Sequence, residues 1–252
     1  MKNYVKTDAE IVLIAEGGKL LGEILKRIAR LVRPGVTTFE LNTFAEKEIL
    51  AVGGRPSFVG YGSKKNPFPA GLCTSINDVV VHGIPSKTDR LKEGDLIGLD
   101  IGMQYKGFFT DAAITVPMGQ ISLQARKLME TTKQCLVNAI AVAKPGNTTG
   151  DIGYAIATLA EAAGFSVVTD LVGHGVGYAV HEDPPIPCYG EPGSGEPLLP
   201  GMVIAIEPMV CEKSSEIYFD ADGWTIRTKD GGLAAHFEHT VVITKNGVKV
   251  LT

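Results

Sequence analysis

The sequence predicts an α+β fold in one domain, built from two duplicated halves, and three features carry that reading. A helical stretch, a Pro-Gly break and a further helical stretch occur twice: Arg33-Pro34-Gly35-Val36-Thr37-Thr38 is echoed by Lys144-Pro145-Gly146-Asn147-Thr148-Thr149. A turn running into a short apolar β segment also occurs twice, at Leu91 to Asp100 and Leu198 to Glu207, and both copies end on a carboxylate. The offsets, 111 residues for the first repeat and 107 for the second, suit a duplicated unit rather than a solenoid of many short periods. The halves span roughly residues 20–120 and 121–252, with no Ser/Gly/Pro-rich linker between them.

Each element follows from local chemistry. Proline then glycine stops the first helical stretch, and a Thr at 37 or 148 is placed to cap the next one. That second helix ends at Gly53-Gly54 in one copy and Gly164 in the other. Between Asp95 and Met118 two β-like runs flank Gln104-Tyr105-Lys106-Gly107, which predicts a hairpin. A turn centred on Tyr105 and Lys106 would set Asp100 opposite Asp111. Gly173, Gly175 and Gly177 argue against a helix around His174 and for a backbone-exposing loop or bulged strand. The Pro/Gly cluster from Asp183 to Pro200 reads as a long loop, and His236 to Ile243 as a strand.

Composition narrows the function classes. A net charge of −4 gives neither a basic footprint for nucleic acid nor a polybasic membrane anchor. There is no run of 18 apolar residues, and the polar stretch Met1 to Glu10 is unlike a signal peptide. Four cysteines without CxxC spacing fit a reducing compartment, so a cytoplasmic location is expected.

The chemistry lies in acids placed where hydrophobes belong. Opposed aspartates in apolar strands repel each other unless a cation sits between them. Glu207 and Glu238 likewise interrupt apolar runs, and His174 and His181 flank the glycine-rich segment. Asp100, Asp111, Glu207 and Glu238 together match the charge of two divalent cations. An oxygen-rich set with one imidazole suits Mn, Fe(II), Co or Zn rather than a thiolate zinc site. Two such metals roughly 3.5–4 Å apart can hold a bridging hydroxide for hydrolysis.

In order and spacing these five residues resemble the metal ligands of methionine aminopeptidases of type I. The likeness extends over Cys73-Thr74-Ser75-Ile76-Asn77-Asp78-Val79-Val80-Val81-His82-Gly83-Ile84-Pro85, His174 to Pro184, and Asp222-Gly223-Trp224-Thr225. The resemblance implies the pita-bread fold, two pseudo-symmetric α+β halves around a central antiparallel sheet clasping a dinuclear metal site. It implies that Asp100 chelates one metal, Asp111 and Glu238 bridge both, and His174 and Glu207 complete the other shell. Glu207 would act as general base, His181 would steady the scissile carbonyl, and His82 would contact the peptide nitrogen and help protonate the leaving amine. Phe68, Cys73 and Trp224 would line the methionine pocket. The implied reaction removes the initiator methionine of nascent chains when the second residue is small, by a metal-bridging hydroxide. A monovalent cation near Ala234, a monomeric state and a transient ribosome association belong to the same expectation.

Four positions depart from the family pattern. Tyr61 to Phe68 is longer than the usual loop, Val180 replaces an aromatic, Ala234 stands where Ser is common, and His236 where Gln is. The chain also lacks the N-terminal zinc-binding extension of eukaryotic type I enzymes and the helical insertion of type II. Two other readings compete: a proline-specific relative of the Xaa-Pro peptidase or creatinase type, and a non-catalytic peptide-binding module on the same fold. Met-Ala-Ser against Ala-Pro cleavage separates the first, and metal content the second.

Overall fold

The computed structural model describes residues 5–252; residues 1–4, the start of the polar N-terminal stretch, lie outside the described residues. Helices α1 (Asp8–Ala29) and α2 (Thr38–Ala51) come early in the chain, and α3 (Leu123–Val142) and α4 (Thr149–Ala162) follow in its second part. The repeated threonines cap as expected. Thr37 and Thr148 accept the backbone N–H three residues on, and the carboxylates of Glu40 and Asp151 accept the N–H of the cap itself. Each such cap contributes about 1 kcal/mol.

A nine-stranded antiparallel sheet forms the centre. Its order runs Arg55–Pro56, Leu96–Tyr105, Phe108–Pro117, Glu238–Thr244, Val203–Ile206, Val172–Gly175, Glu182–Pro187. Leu72–Ile76 also pairs with Leu96–Tyr105, and Gly247–Val250 with Glu238–Thr244. Strands from early and late in the chain therefore meet where Phe108–Pro117 pairs with Glu238–Thr244.

One face of the sheet is apolar. Ile97, Leu99, Ile101 and Met103 pack with Leu21, Ile24, Ile28, Leu41 and Ile49 of α1 and α2. Ile204, Ile206, Val241 and Ile243 pack with Leu128, Leu136, Ile152 and Ile156 of α3 and α4. Side chains alternate along a strand, so the residues between them are turned to the opposite face, where Val203 and Val242 pack on Ile14 of α1 and the acids lie beyond them.

Two sequence expectations are corrected. The hairpin turn is Lys106-Gly107, not Tyr105-Lys106: both turn residues have positive φ, 49° and 89°. That backbone matches the right-handed twist of the flanking strands, and glycine adopts it without strain. Tyr105 then faces Phe108, Asp100 faces Ala113, and Asp111 faces Gly102. The pairing slips by two residues, so both aspartates remain on one face as diagonal rather than direct neighbours. The Asp183–Pro200 segment, read as a loop, starts within the strand Glu182–Pro187. Its prolines are tolerated because it is an edge strand.

Candidate metal centre

Sheet register gathers the acids into two adjacent rows. In the first, Asp100 and Glu238 flank Ala113 from opposite sides, and Cys73 faces Asp100 from the next strand. In the second, Ala205 lies between Thr240 and His174, and the Thr240 hydroxyl accepts the Asp111 N–H at 3.0 Å. Glu207 stands two positions after Ala205, just past the strand end, and so points to the same face. Donor atoms of Asp100, Asp111 and Glu238 lie within 4.8 Å of one another, as do those of His174, Glu207 and Glu238. Glu238 belongs to both groups. A third grouping joins Asp111, His174 and His181.

His174 is oriented by its own neighbour. Nδ1 lies 2.9 Å from the Gly175 carbonyl, which can only accept, so Nδ1 carries the proton. Nε2 then presents its lone pair, available to ligate a metal, 3.4 Å from Glu207 Oε1.

Without a cation this cluster is electrostatically frustrated. Burial pushes Asp100 up to about 6, and its Oδ1 is buried with no hydrogen-bond partner. Burial, reinforced by the neighbouring carboxylates, drives Asp111 and Glu238 well above the usual range. For Glu207 burial also acts upward, but His236, His174 and His181 outweigh it and hold the group below its ordinary value. Among the described residues no lysine or arginine pairs with any of the four; their ion-pair partners are His174 and His236, both on Glu207. A buried, unneutralised carboxylate costs several kcal/mol, whereas an exposed ion pair returns at most about 1. Four carboxylates and one imidazole on one face fit divalent cations that prefer oxygen and nitrogen donors.

The acids form the floor of a cavity of about 280 Å³ whose walls are largely apolar, including Phe58, Tyr61, Phe68, Cys73, Val81, Met209 and Trp224. Phe68 packs edge-on to Trp224 with centroids 5.3 Å apart, and the Trp224 Nε1–H donates to the Asn66 carbonyl at 3.2 Å. The long Tyr61–Phe68 stretch thus holds a small hairpin, Gly62–Ser63 against Asn66–Pro67, next to Trp224. Burial drives the Cys73 thiol well up, with Asp100 adding to the effect, so it serves as a small apolar wall and not as a thiolate.

Two histidines reach the cavity from turns. His82 follows the strand Val79–Val81 with left-handed backbone, φ 59°, and burial lowers its basicity. His181 packs edge-on to His174 with centroids 4.2 Å apart. Burial and His174 push it down to about 4, and its Nδ1 is hydrogen-bonded to the Tyr61 hydroxyl.

All of the predicted residues, His82, Asp100, Asp111, His174, His181, Glu207, Glu238, Phe68, Cys73 and Trp224, therefore line one cavity. Phe58 and Met209 also line it and carry no local signal in the sequence. His236, noted in the sequence only as a departure, has its Nε2 3.5 Å from Glu207 Oε2.

Comparison with known proteins agrees with this geometry. The model of metallopeptidase family M24 matches residues 12–245. A methionine aminopeptidase of Aquifex aeolicus is 48% identical over 250 residues, 96% of each chain. One from Clostridium acetobutylicum is 45% identical over 98% of each. The crystal structure of the Thermotoga maritima methionine aminopeptidase superposes with a TM-score of 0.96 at 40% identity, covering 100% of this chain and 99% of that one. A prolidase from Pyrococcus horikoshii shares the fold alone, at 24% identity, TM-score 0.76 and 63% of its own length. The chain has the pita-bread fold and belongs to metallopeptidase family M24, among its methionine aminopeptidases.

Proposed function

We propose that this protein hydrolyses the N-terminal methionine from peptides and nascent polypeptides whose second residue is small. One observation carries the reading: four carboxylates and an imidazole share one face of the sheet at the floor of a cavity with apolar walls. Asp100, Asp111, His174, Glu207 and Glu238 would hold two divalent ions, of Co, Mn, Fe(II) or Zn. Bound there, the ions would acidify a water and polarise the scissile carbonyl.

The remaining steps belong to the chain. Glu207, flanked by His174 and His236, accepts the proton of the attacking water. With the Tyr61 hydroxyl as the donor in its hydrogen bond with His181 Nδ1, the His181 Nε2–H is free to donate to the carbonyl oxygen as charge develops there. His82, across the cavity beside Trp224, binds the peptide nitrogen and delivers a proton to the leaving amine. Phe68, Cys73 and Trp224 enclose the thioether side chain, where sulfur–aromatic contact is favourable. The chain works as one catalytic domain of two halves. No described helix is long and apolar enough to cross a membrane, and we assign the activity to the cytoplasm, on chains emerging from the ribosome.

The test is methionine release from Met-Ala-Ser by metal-free protein with each metal added in turn. Release that needs metal, with Ala-Pro and Met-Lys peptides left intact, is expected. Turnover of Ala-Pro in preference to Met-Ala-Ser would transfer the chain to the prolidase reading.

A further inference from the structure

We propose that Lys6 is a positioning residue for His181, holding the turn that carries this histidine from the opposite end of the chain. The inference rests on the role given to His181 above.

The turn runs from Gly177 to Glu182 and is closed by the Glu182 carboxylate. Oε1 accepts the backbone N–H of Tyr178 and, at 2.8 Å, that of Ala179. Oε2 accepts from Lys6 Nζ at 2.6 Å. The Lys6 side chain has 0% exposure and that of Glu182 14%, so this is not a solvent-screened pair of negligible worth. Removing either partner leaves the other buried and unpaired, which is strongly unfavourable. Lys6 also lies 4.8 Å over the Tyr178 ring, whose hydroxyl donates to Glu10 in the first turn of α1. The backbone N–H of Lys6 donates to the Gly201 carbonyl at 2.9 Å, fixing the segment from which the side chain reaches.

Shape agrees with charge. Gly177 has φ 137°, and a Cβ there would come within 2.8 Å of Lys6 Cε. The lysine stem fills the space that a side chain at 177 would take. His181 and Val180 directly precede Glu182, and Val180 packs with Phe58, Phe68 and Cys73 in the pocket wall. A rigid Glu182 therefore sets where His181 stands, while His174 is held by the sheet.

A double-mutant cycle on the metal-loaded protein tests this, because a residue acting through another is non-additive with it. For Met-Ala-Ser, Lys6→Met is expected to lower kcat about 10-fold, with KM within about 2-fold and metal stoichiometry unchanged. In a His181→Ala background the same change is expected to cost less than about 2-fold further. Equal fold-losses in both backgrounds, or a kcat for Lys6→Met within about 2-fold of the parent, would overturn the proposal. If Lys6→Met does not fold, Glu182→Gln carries the same cycle, since it keeps an oxygen for the two amides and replaces the oxygen that accepts from Lys6 with an uncharged NH2 that cannot. Unimpaired turnover by His181→Ala would instead remove the role of His181 itself. That outcome is distinct from an impaired His181→Ala with a silent Lys6→Met, which removes Lys6 alone.

Discussion

Asp100, Asp111, Glu238 and His174 stand on strands inside a continuous antiparallel ladder, whereas His82, His181 and Trp224 stand on turns just outside it. The first group is placed by register: once Ala113 pairs with both Asp100 and Glu238, their side chains must share a face. The second group is placed by side chains remote in sequence. Tyr61 bonds His181, Lys6 bonds the residue after it, and Asn66 receives the Trp224 indole N–H. Floor and rim of one cavity thus differ in what holds them. Changes at the rim are expected to alter chemistry and substrate fit while the floor keeps its metals.

The largest effect is expected on the floor. Glu207→Gln should lower kcat by at least about 10³-fold, since under the mechanism proposed above it removes both a ligand charge and the proton acceptor. Steady-state kinetics beside circular dichroism checks this, and a folded, metal-loaded variant with near-normal kcat would end the assignment. Next comes the rim: His181→Ala should lower kcat about 10²-fold, with metal content by elemental analysis unchanged. Loss of a metal equivalent there would break the distinction between floor and rim.

Smaller effects sharpen it. Trp224→Ala should raise KM about 10-fold with a lesser change in kcat, because it removes a pocket wall and no proton donor. Metal removal should expose the frustration of the floor as a pH dependence of stability. In chelated protein Asp100 sits at about 6 against an ordinary 3.8, so it binds its proton more tightly folded than unfolded. The share of stability due to these carboxylates should therefore rise as pH falls through that window and decline as pH rises toward 6, with Asp111 and Glu238 extending the decline upward, while His181, held down at about 4, contributes the opposite slope below its ordinary 6.5. With metal bound the trend should reverse, because the ligands must be deprotonated to bind. Thermal melts from pH 5 to 8, with and without chelator, on the parent and on His181→Ala to remove the histidine's opposing slope, decide the sign. Least of all, Gly107→Ala should cost about 1 kcal/mol by denaturant titration without moving kcat, since it strains the hairpin turn and touches no site group.

The floor was legible because acids in apolar β segments conflict with local pattern, and conflicts of that kind mark functional positions. Asp100, Asp111, Glu207 and Glu238 each break an apolar run. Even the wrong turn placement left both aspartates on one face, because a slip of two residues preserves the alternation. The capping threonines at 37 and 148 were equally legible, being local. The strand Glu182–Pro187 was not, since its prolines mimic a loop and only its place at the sheet edge makes them acceptable.

What the sequence determined by itself was the fold class, the repeated cap-and-helix units and the acidic face, because each follows from interactions among residues close in the chain or from strict alternation along a strand. What only the tertiary structure decided was the hairpin register, the cavity wall of Phe58 and Met209, and the contacts of Tyr61 and Lys6 that set the His181 turn. Those depend on pairs as much as 176 residues apart, between Lys6 and Glu182. No local periodicity encodes such pairs; they exist only once packing has excluded water and left a buried charge in need of a partner.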